Sequence, residues 1–185
     1  MLRGLHAGVE AFNRWSLNNR GDLDGQWQLI DTWDGARDAL LPAFGPHPNA
    51  YWIWGLLCRF LPKRSPLLKT VVDGVIKGWQ QYLLAEAVRT PGGDLNVFVL
   101  TLTEQDQPFE LELPGIEGPC SLHRHRITEA IRNRTDGVRI DPDATFTLGP
   151  DAPSFRDTAP GWSFTVYSTR RMTHDRPGCG PDNAA

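Results

Sequence analysis

The chain has 185 residues, 40% hydrophobic and 10% aromatic, with a formal net charge of -3. Such a length and composition fit one globular domain, or one and part of another, and exclude a largely disordered chain. Basic residues are scattered rather than gathered into a stripe, which argues against nucleic acid as a partner; no run reaches the roughly 18 apolar residues of a membrane span, because YWIWGLLCRFL is broken by Arg59 and closed by Pro62.

The opening, MLRGLHAGVEAF, lacks the apolar stretch of a signal peptide, and Leu2, Leu5 and Val9 follow helical spacing as though the chain began inside a helix. Gly8 breaks that pattern, and VEAFNRW predicts a short strand. A long loop rich in Asn, Gly and Asp follows. Within it WQLIDTW predicts an extended piece, with Trp27, Leu29 and Asp31 on one side and Gln28, Ile30 and Thr32 on the other. GPHPN supplies turn residues, and Asn49 is a candidate N-cap for a helix to about Phe60 with Tyr51, Trp54, Leu57 and Cys58 on one face, stopped by Pro62. Cys58 reads as a small core residue. Cys120 and Cys179 lie far from it, so neither a disulfide framework nor a zinc knuckle is legible.

From Leu67 onward the period changes. TVVDGVIKGW, QQYLLAEAVRT, LNVFVLTLT, PFELELPG, SLHRHRIT, ATFTLG and WSFTVYST are short, mostly alternating runs separated by turn clusters such as PGGD and EQDQ. In FELEL, Phe109, Leu111 and Leu113 face one way and Glu110 and Glu112 the other, the mark of a half-buried antiparallel sheet. Seven such runs predict a β-sandwich. The closing DRPGCGPDNAA reads as a disordered end.

The segment AFNRWSLNNRGDLDGQWQLIDTWD gathers three tryptophans among asparagines, arginines and aspartates. Exposed indoles forgo apolar burial and buried unpaired charges are costly, so the mixture predicts a surface that meets something ring-shaped and hydroxylated. Other readings of the polar residues are weaker. DLDG would put Asp22, Asp24, Gly25 and Asp31 at positions three, five, six and twelve of a calcium loop, but Arg20 would then stand at position one and Asp would replace the bidentate Glu. RGD at residues 20–22 reads as a chance tripeptide. His123 and His125 share one face of a predicted strand, a spacing that can chelate metal, but no third ligand is near and an exposed strand face is the simpler reading. Glu10 and Glu86 have no reason to converge. No cofactor, metal or catalytic residue is assigned within the chain.

The order of parts is informative in its own right. GVEAFNRWS is similar to the eighth barrel strand of clan-A glycoside hydrolases, NAYWIWGLLCRFLPKRS resembles their last barrel helix, GDLNVFVLTLT with PFELELPG resembles strands of their appended sandwich, and DTAPGWSFTVYS resembles its closing strand. The chain thus resembles the C-terminal part of these (β/α)8 enzymes, of the iduronidase/xylosidase or glucosylceramidase/glucuronoxylanase kind. The fold implied is mainly β with a mixed α/β N-terminal part: an antiparallel β-sandwich preceded by the end of a TIM barrel, contributing one strand and two helical segments. Residues 1–66 would be the barrel remnant, 67–170 the sandwich and 171–185 the tail.

Barrel enzymes build their sites at the C-terminal ends of the strands. The resemblance therefore implies that Trp15 faces a sugar, with Asn13, Asn18, Asn19, Arg20, Asp22 and Asp24 bonding hydroxyls or bracing the loop. The two carboxylates of a retaining glycosidase, about 5 to 5.5 Å apart, would both lie upstream of Met1. The expected partner is an oligosaccharide or glycoside, with self-association through apolar surface that an absent barrel leaves exposed. A free-standing carbohydrate-binding or adhesive β-sandwich module is the alternative; it should carry aromatic rings on the sandwich surface.

Overall fold

The computed structural model describes residues 1–7, 9, 12, 17, 18, 28–47, 50–74, 82–132 and 140–173. The elements run α1 (Leu2–His6), β1 (Ile30–Asp34), β2 (Ala39–Pro46), α2 (Tyr51–Phe60), β3 (Leu67–Leu68), β4 (Leu83–Arg89), β5 (Leu95–Thr101), β6 (Gln107–Glu112), β7 (Cys120–Ile127), α3 (Glu129–Arg132), β8 (Ala144–Leu148), β9 (Ser154–Ala159) and β10 (Phe164–Ser168). A six-stranded sheet in the order β3-β4-β5-β10-β7-β8 is antiparallel throughout. The pairs β6-β9 and β1-β2 each form a separate two-stranded sheet. The molecule is a mainly β sandwich with a small α/β part at its start.

The six-stranded sheet is covered on both faces, which explains its sequence. Leu84, Val88, Phe98, Ile127, Phe164 and Val166 pack with α1 and α2, while Ala87, Val97, Val99, Leu122 and Tyr167 pack with Leu111 and Ala159 of the β6-β9 layer. Strands buried on both sides read as continuous apolar runs rather than alternating ones, as VFV and FTVY do. In β6 only one side is covered. The predicted alternation accordingly holds, with Leu111 buried, Phe109 half-buried, and Glu110 and Glu112 exposed.

Three expectations need correction. The buried stripe of α2 is Leu56, Leu57 and Phe60, whereas Tyr51 and Cys58 are exposed, because Cys58 lies round the helix from that stripe. The N-cap position falls on Ala50; Asn49 lies outside the described residues. In WQLIDTW the strand begins only at Ile30, and a bulge between Asp31 and Trp33 interrupts the predicted alternation; Gln28 and Thr32 are buried.

Two strands were hidden by their turn residues. β2 contains Pro42 and Gly45, which read as breakers but are tolerated on an edge; Asp34 closes the β1-β2 turn by accepting the N–H groups of Ala36 and Arg37 at 3.0 and 3.3 Å. β9 pairs with β6 rather than merging with the closing strand. Conversely, of TVVDGVIKGW residues 70–74 form no strand and 75–79 lie outside the described residues, as do all of VEAFNRW but Val9 and Phe12. Neither of those two is in a strand, Val9 is exposed, and Phe12 packs on the helix-facing core.

Asn96 fastens α2 to the sheet. Its amide donates to the Phe60 carbonyl at 2.6 Å, satisfying a helix-end acceptor, while its own oxygen accepts from Ser168 on the neighbouring strand. The Phe60 ring lies 4.8 Å from that of His125, which is fully buried. His125 is therefore interior, contrary to the exposed face predicted for the HRH run, while His123 on the same strand stays half-exposed. His125 Nδ1 donates to the Ile140 carbonyl at 3.1 Å, leaving Nε2 buried and unpartnered. Burial depresses its pKa, an effect the nearby charge of His123 reinforces and that the Ile140 carbonyl, Asp143 and Asp141 oppose.

The two layers of the sandwich are tied by charge. Asp157 on β9 accepts two bonds from Arg124 Nη1 at 2.8 and 2.9 Å, one from Arg126 at 2.9 Å and one from the Tyr167 hydroxyl. Arg124 also forks onto Asp143 at 2.7 and 3.1 Å. Burial by itself would raise the pKa of Asp157. The Tyr167 hydroxyl, Arg124, the Thr158 N–H and the charge of Arg126 outweigh it and hold the carboxyl below its usual range. Burial, and then the bond to Asp157, push the Tyr167 phenol up.

Replacing Asp157 by Ala leaves Arg126 between the layers without a carboxylate, while Arg124 keeps Asp143, and is expected to destabilise by roughly 3–5 kcal/mol, read as the urea midpoint; a loss under ~1 kcal/mol would show the network to be incidental. The Asp157 contribution is present above the unfolded carboxylate value near ~3.9 and is lost as pH falls through its lowered folded pKa. His125 acts in a higher window. Below about pH 6.5 the unfolded chain takes up a proton that the folded one resists, so the denaturation midpoint should fall between pH 7 and pH 5. A midpoint that rises on acidification contradicts this burial.

Candidate functional site

Of the residues that the sequence assigns to sugar contact, Trp15, Asn13, Asn19, Arg20, Asp22 and Asp24 lie outside the described residues. Asn18 is described and is exposed. The described residues on either side, Leu17, Asn18 and 28–47, are joined by backbone bonds. The Leu17 carbonyl accepts the N–H groups of Leu29 and Ile30 at 3.1 and 2.9 Å, so the chain at 29–30 returns to meet residue 17. The Leu29 carbonyl then accepts from His47 at 2.8 Å, and the His47 carbonyl accepts from Ala50 and Tyr51 at 3.2 and 3.1 Å. A run of backbone bonds therefore links Leu17, the base of the β1-β2 hairpin and the start of α2.

Along this frame three ring nitrogens, Trp33 Nε1, His47 Nδ1 and Trp52 Nε1, are buried without a hydrogen-bond partner. Buried polar atoms are ordinarily matched, and leaving one unmatched costs about 1–3 kcal/mol. All three belong to the β1-β2 hairpin, its end, or the first turn of α2. None of the three is among the residues that the sequence assigns to sugar contact. The signal available was the clustering of ring nitrogens within 33–52, which composition alone does not separate from core aromatics.

Charged groups elsewhere are committed to structure. On the outer face of the β6-β9 layer an open depression of about 590 Å³ is lined by Pro108, Phe109, Glu110, Arg156, Asp157 and Thr158. Glu110 accepts from Ser154 at 2.6 Å and Arg156 at 3.2 Å, and these two bonds hold its carboxyl below the usual value. A carboxyl so held is ionised at neutral pH and unsuited to donating a proton to a leaving group. A second, smaller cleft of about 200 Å³ lies where α2 ends against the β4-β5 turn, between Arg59, Asp94 and Arg170.

His123 and His125 share the helix-facing side of β7. His123 Nδ1 is 3.0 Å from the Thr145 hydroxyl, and among the described residues no group of three His, Cys, Asp or Glu side chains is arranged to hold a metal ion. Glu86 is buried at 6% exposure on the same side of the sheet, whereas Glu10 lies outside the described residues. Among the described residues no helix is long and apolar enough to cross a membrane.

No family model matches the chain, and no curated protein sequence does. Solved structures do. The chain is similar to the catalytic domain of GH30 xylanase C from Talaromyces cellulolyticus, with a TM-score of 0.50 at 12% identity over 78% of this chain and 28% of that one. A GH30 endoxylanase from Clostridium papyrosolvens gives 0.48 at 9% identity over 65% and 27%, and a GH30 subfamily 8 xylanase from Clostridium acetobutylicum 0.48 at 9% over 78% and 31%. The chain thus spans less than a third of the length of each of these structures. At such identity the likeness is one of fold: the chain shares the architecture of part of a GH30 xylanase catalytic domain.

Proposed function

We propose that this chain is the C-terminal part of a carbohydrate-active glycoside hydrolase of clan A. It supplies one wall of the sugar site and the accessory β-sandwich, and the catalytic carboxylates belong to another part of the enzyme. The observation that carries this reading is the shared fold with a xylanase catalytic domain over 78% of the chain. Residues 1–66 are the end of the barrel and 67–170 the sandwich. α2 lies near the end of the residues assigned to the barrel, and its buried stripe joins it to the sandwich sheet.

In this reading Trp15 stacks on a pyranose ring, since an indole offers a flat apolar face and an N–H donor. Asn13, Asn18, Asn19, Arg20, Asp22 and Asp24 bond its hydroxyls or hold the loop. A β-linked xylo-oligosaccharide is the first ligand to try, because the similar structures are xylanases.

The isolated chain should turn over neither aryl β-xylosides nor xylan, and should bind xylohexaose with a change in tryptophan fluorescence. Trp15→Ala should weaken that binding roughly tenfold, the equivalent of about 1.4 kcal/mol. Unchanged affinity in Trp15→Ala would sink the wall role. Turnover abolished by Glu10→Gln would show a catalytic acid within the chain.

A further inference from the structure

Trp162 lies in the connection that carries the chain from β9 in one layer to β10 in the other. Its φ is 49°, in the left-handed region, and its ring is 45% exposed. Both features oppose stability. A bulky side chain at positive φ is strained where glycine or asparagine would not be, and an exposed indole gains only part of its apolar burial. The surroundings impose this conformation. The Trp162 N–H donates to the Thr103 carbonyl at 2.9 Å and the Gly161 N–H to Asp106 Oδ1 at 3.0 Å, while a Cβ on Gly161 would sit 2.1 Å from the Glu104 carbonyl oxygen. The turn is pinned at two consecutive residues, and the indole stands on a rigid base.

A second ring stands at the same end of the sheet. Tyr82 is 52% exposed, and its carbonyl accepts the Leu102 N–H at 2.8 Å. Tyr82 leads into β4 and Trp162 into β10, and these strands flank β5 on either side. Their backbones are thus separated by two strand spacings, on the order of 9–10 Å, across residues 102–103. The exposed carboxylate of Glu104 lies at the turn that Gly161 presses against.

We propose that Trp162 and Tyr82 form a second carbohydrate site, on the sandwich itself and separate from the Trp15 segment, where successive pyranose rings of an oligosaccharide stack on the two aromatic rings and Glu104 accepts bonds from hydroxyls. Strain of this kind persists where the surroundings over-determine it and concentrates at ligand clamps. A backbone already held in place leaves less to be ordered on binding. The choice of sugar rests on the glycoside-hydrolase reading; the existence of a pinned aromatic platform does not. The rings that the module reading requires on the sandwich surface are present here.

The test uses the full chain with xylohexaose and soluble xylan, by calorimetry and affinity electrophoresis, comparing the wild type with Trp162→Ala, Trp162→Gly, Trp162→Phe, Tyr82→Ala and Trp15→Ala. Trp162→Ala, Trp162→Gly and Tyr82→Ala should each weaken retention on xylan about tenfold, and Trp162→Phe should keep most of it. Trp162→Gly should also melt at a higher temperature than Trp162→Ala, because glycine takes the left-handed conformation without strain, so lost binding cannot be lost folding. Retention unchanged in both Trp162→Ala and Trp162→Gly overturns the proposal; if Trp15→Ala still loses xylohexaose, the first site stands alone. Loss in the Trp162 variants with Trp15→Ala unaffected supports this site and overturns the other. A wild-type chain that binds neither probe overturns both, and a Trp162→Ala variant altered only in self-association makes the ring a protein contact and overturns this site.

Discussion

Every residue of β10 is buried, and that constraint organises the rest of the molecule. The last strand in sequence occupies an inner position, between β5 and β7, so the sheet is not complete until the chain is nearly at its end. An inner strand with apolar residues on both faces needs a cover on each side. One cover is the β6-β9 pair, whose Phe109 and Phe155 lie 6.1 and 5.3 Å from the Tyr167 ring, with Phe146 of β8 at 5.9 Å completing the cluster. The other is α1 with α2.

The two covers are held by different chemistry. On the β6-β9 side, Asp157 reaches across the layer to two arginines and a phenol, so the joint is ionic and hydrogen-bonded, and these partners hold its carboxyl below the usual range. On the helix side, the joint is apolar around Leu56, Leu57 and Phe60, with a single amide, Asn96, at the helix end and a neutral imidazole beneath the Phe60 ring. Acid therefore acts first where the first third of the chain meets the sandwich. The frame of the proposed sugar site runs through that same third, by way of His47 and the start of α2.

The proposed second site illustrates how a layered sandwich generates surface features that no single strand encodes. Connections between layers must cross the end of the sheet, where backbone groups lack partners and are satisfied by neighbouring loops. Here the crossing is pinned to residues 103–106, and the residue at the pinned position is a tryptophan rather than the glycine its backbone favours. Local sequence preference and tertiary geometry disagree at that residue, as they do at functional or strained sites.

Six strands were readable because their apolar runs are bounded by strong turn residues: QYLLAEAVR, LNVFVLT, PFELEL, SLHRHRI, ATFTL and SFTVYS contain most of β4, β5, β6, β7, β8 and β10. The helix YWIWGLLCRF was readable from its length and from Pro62. Composition and period thus determined a mainly antiparallel β fold with a helix before it. What they did not determine was which side of each element is covered. Cys58 and His125 were assigned by spacing and polarity, and the structure reversed both, because which side of an element is covered depends on residues distant in the chain. Likewise β2 and β9 were concealed by prolines and charges that only pairing with β1 and β6 makes compatible with a strand. Residue order determined the elements; the partner that each face meets was decided by tertiary structure alone, since burial depends on what arrives from elsewhere in the chain.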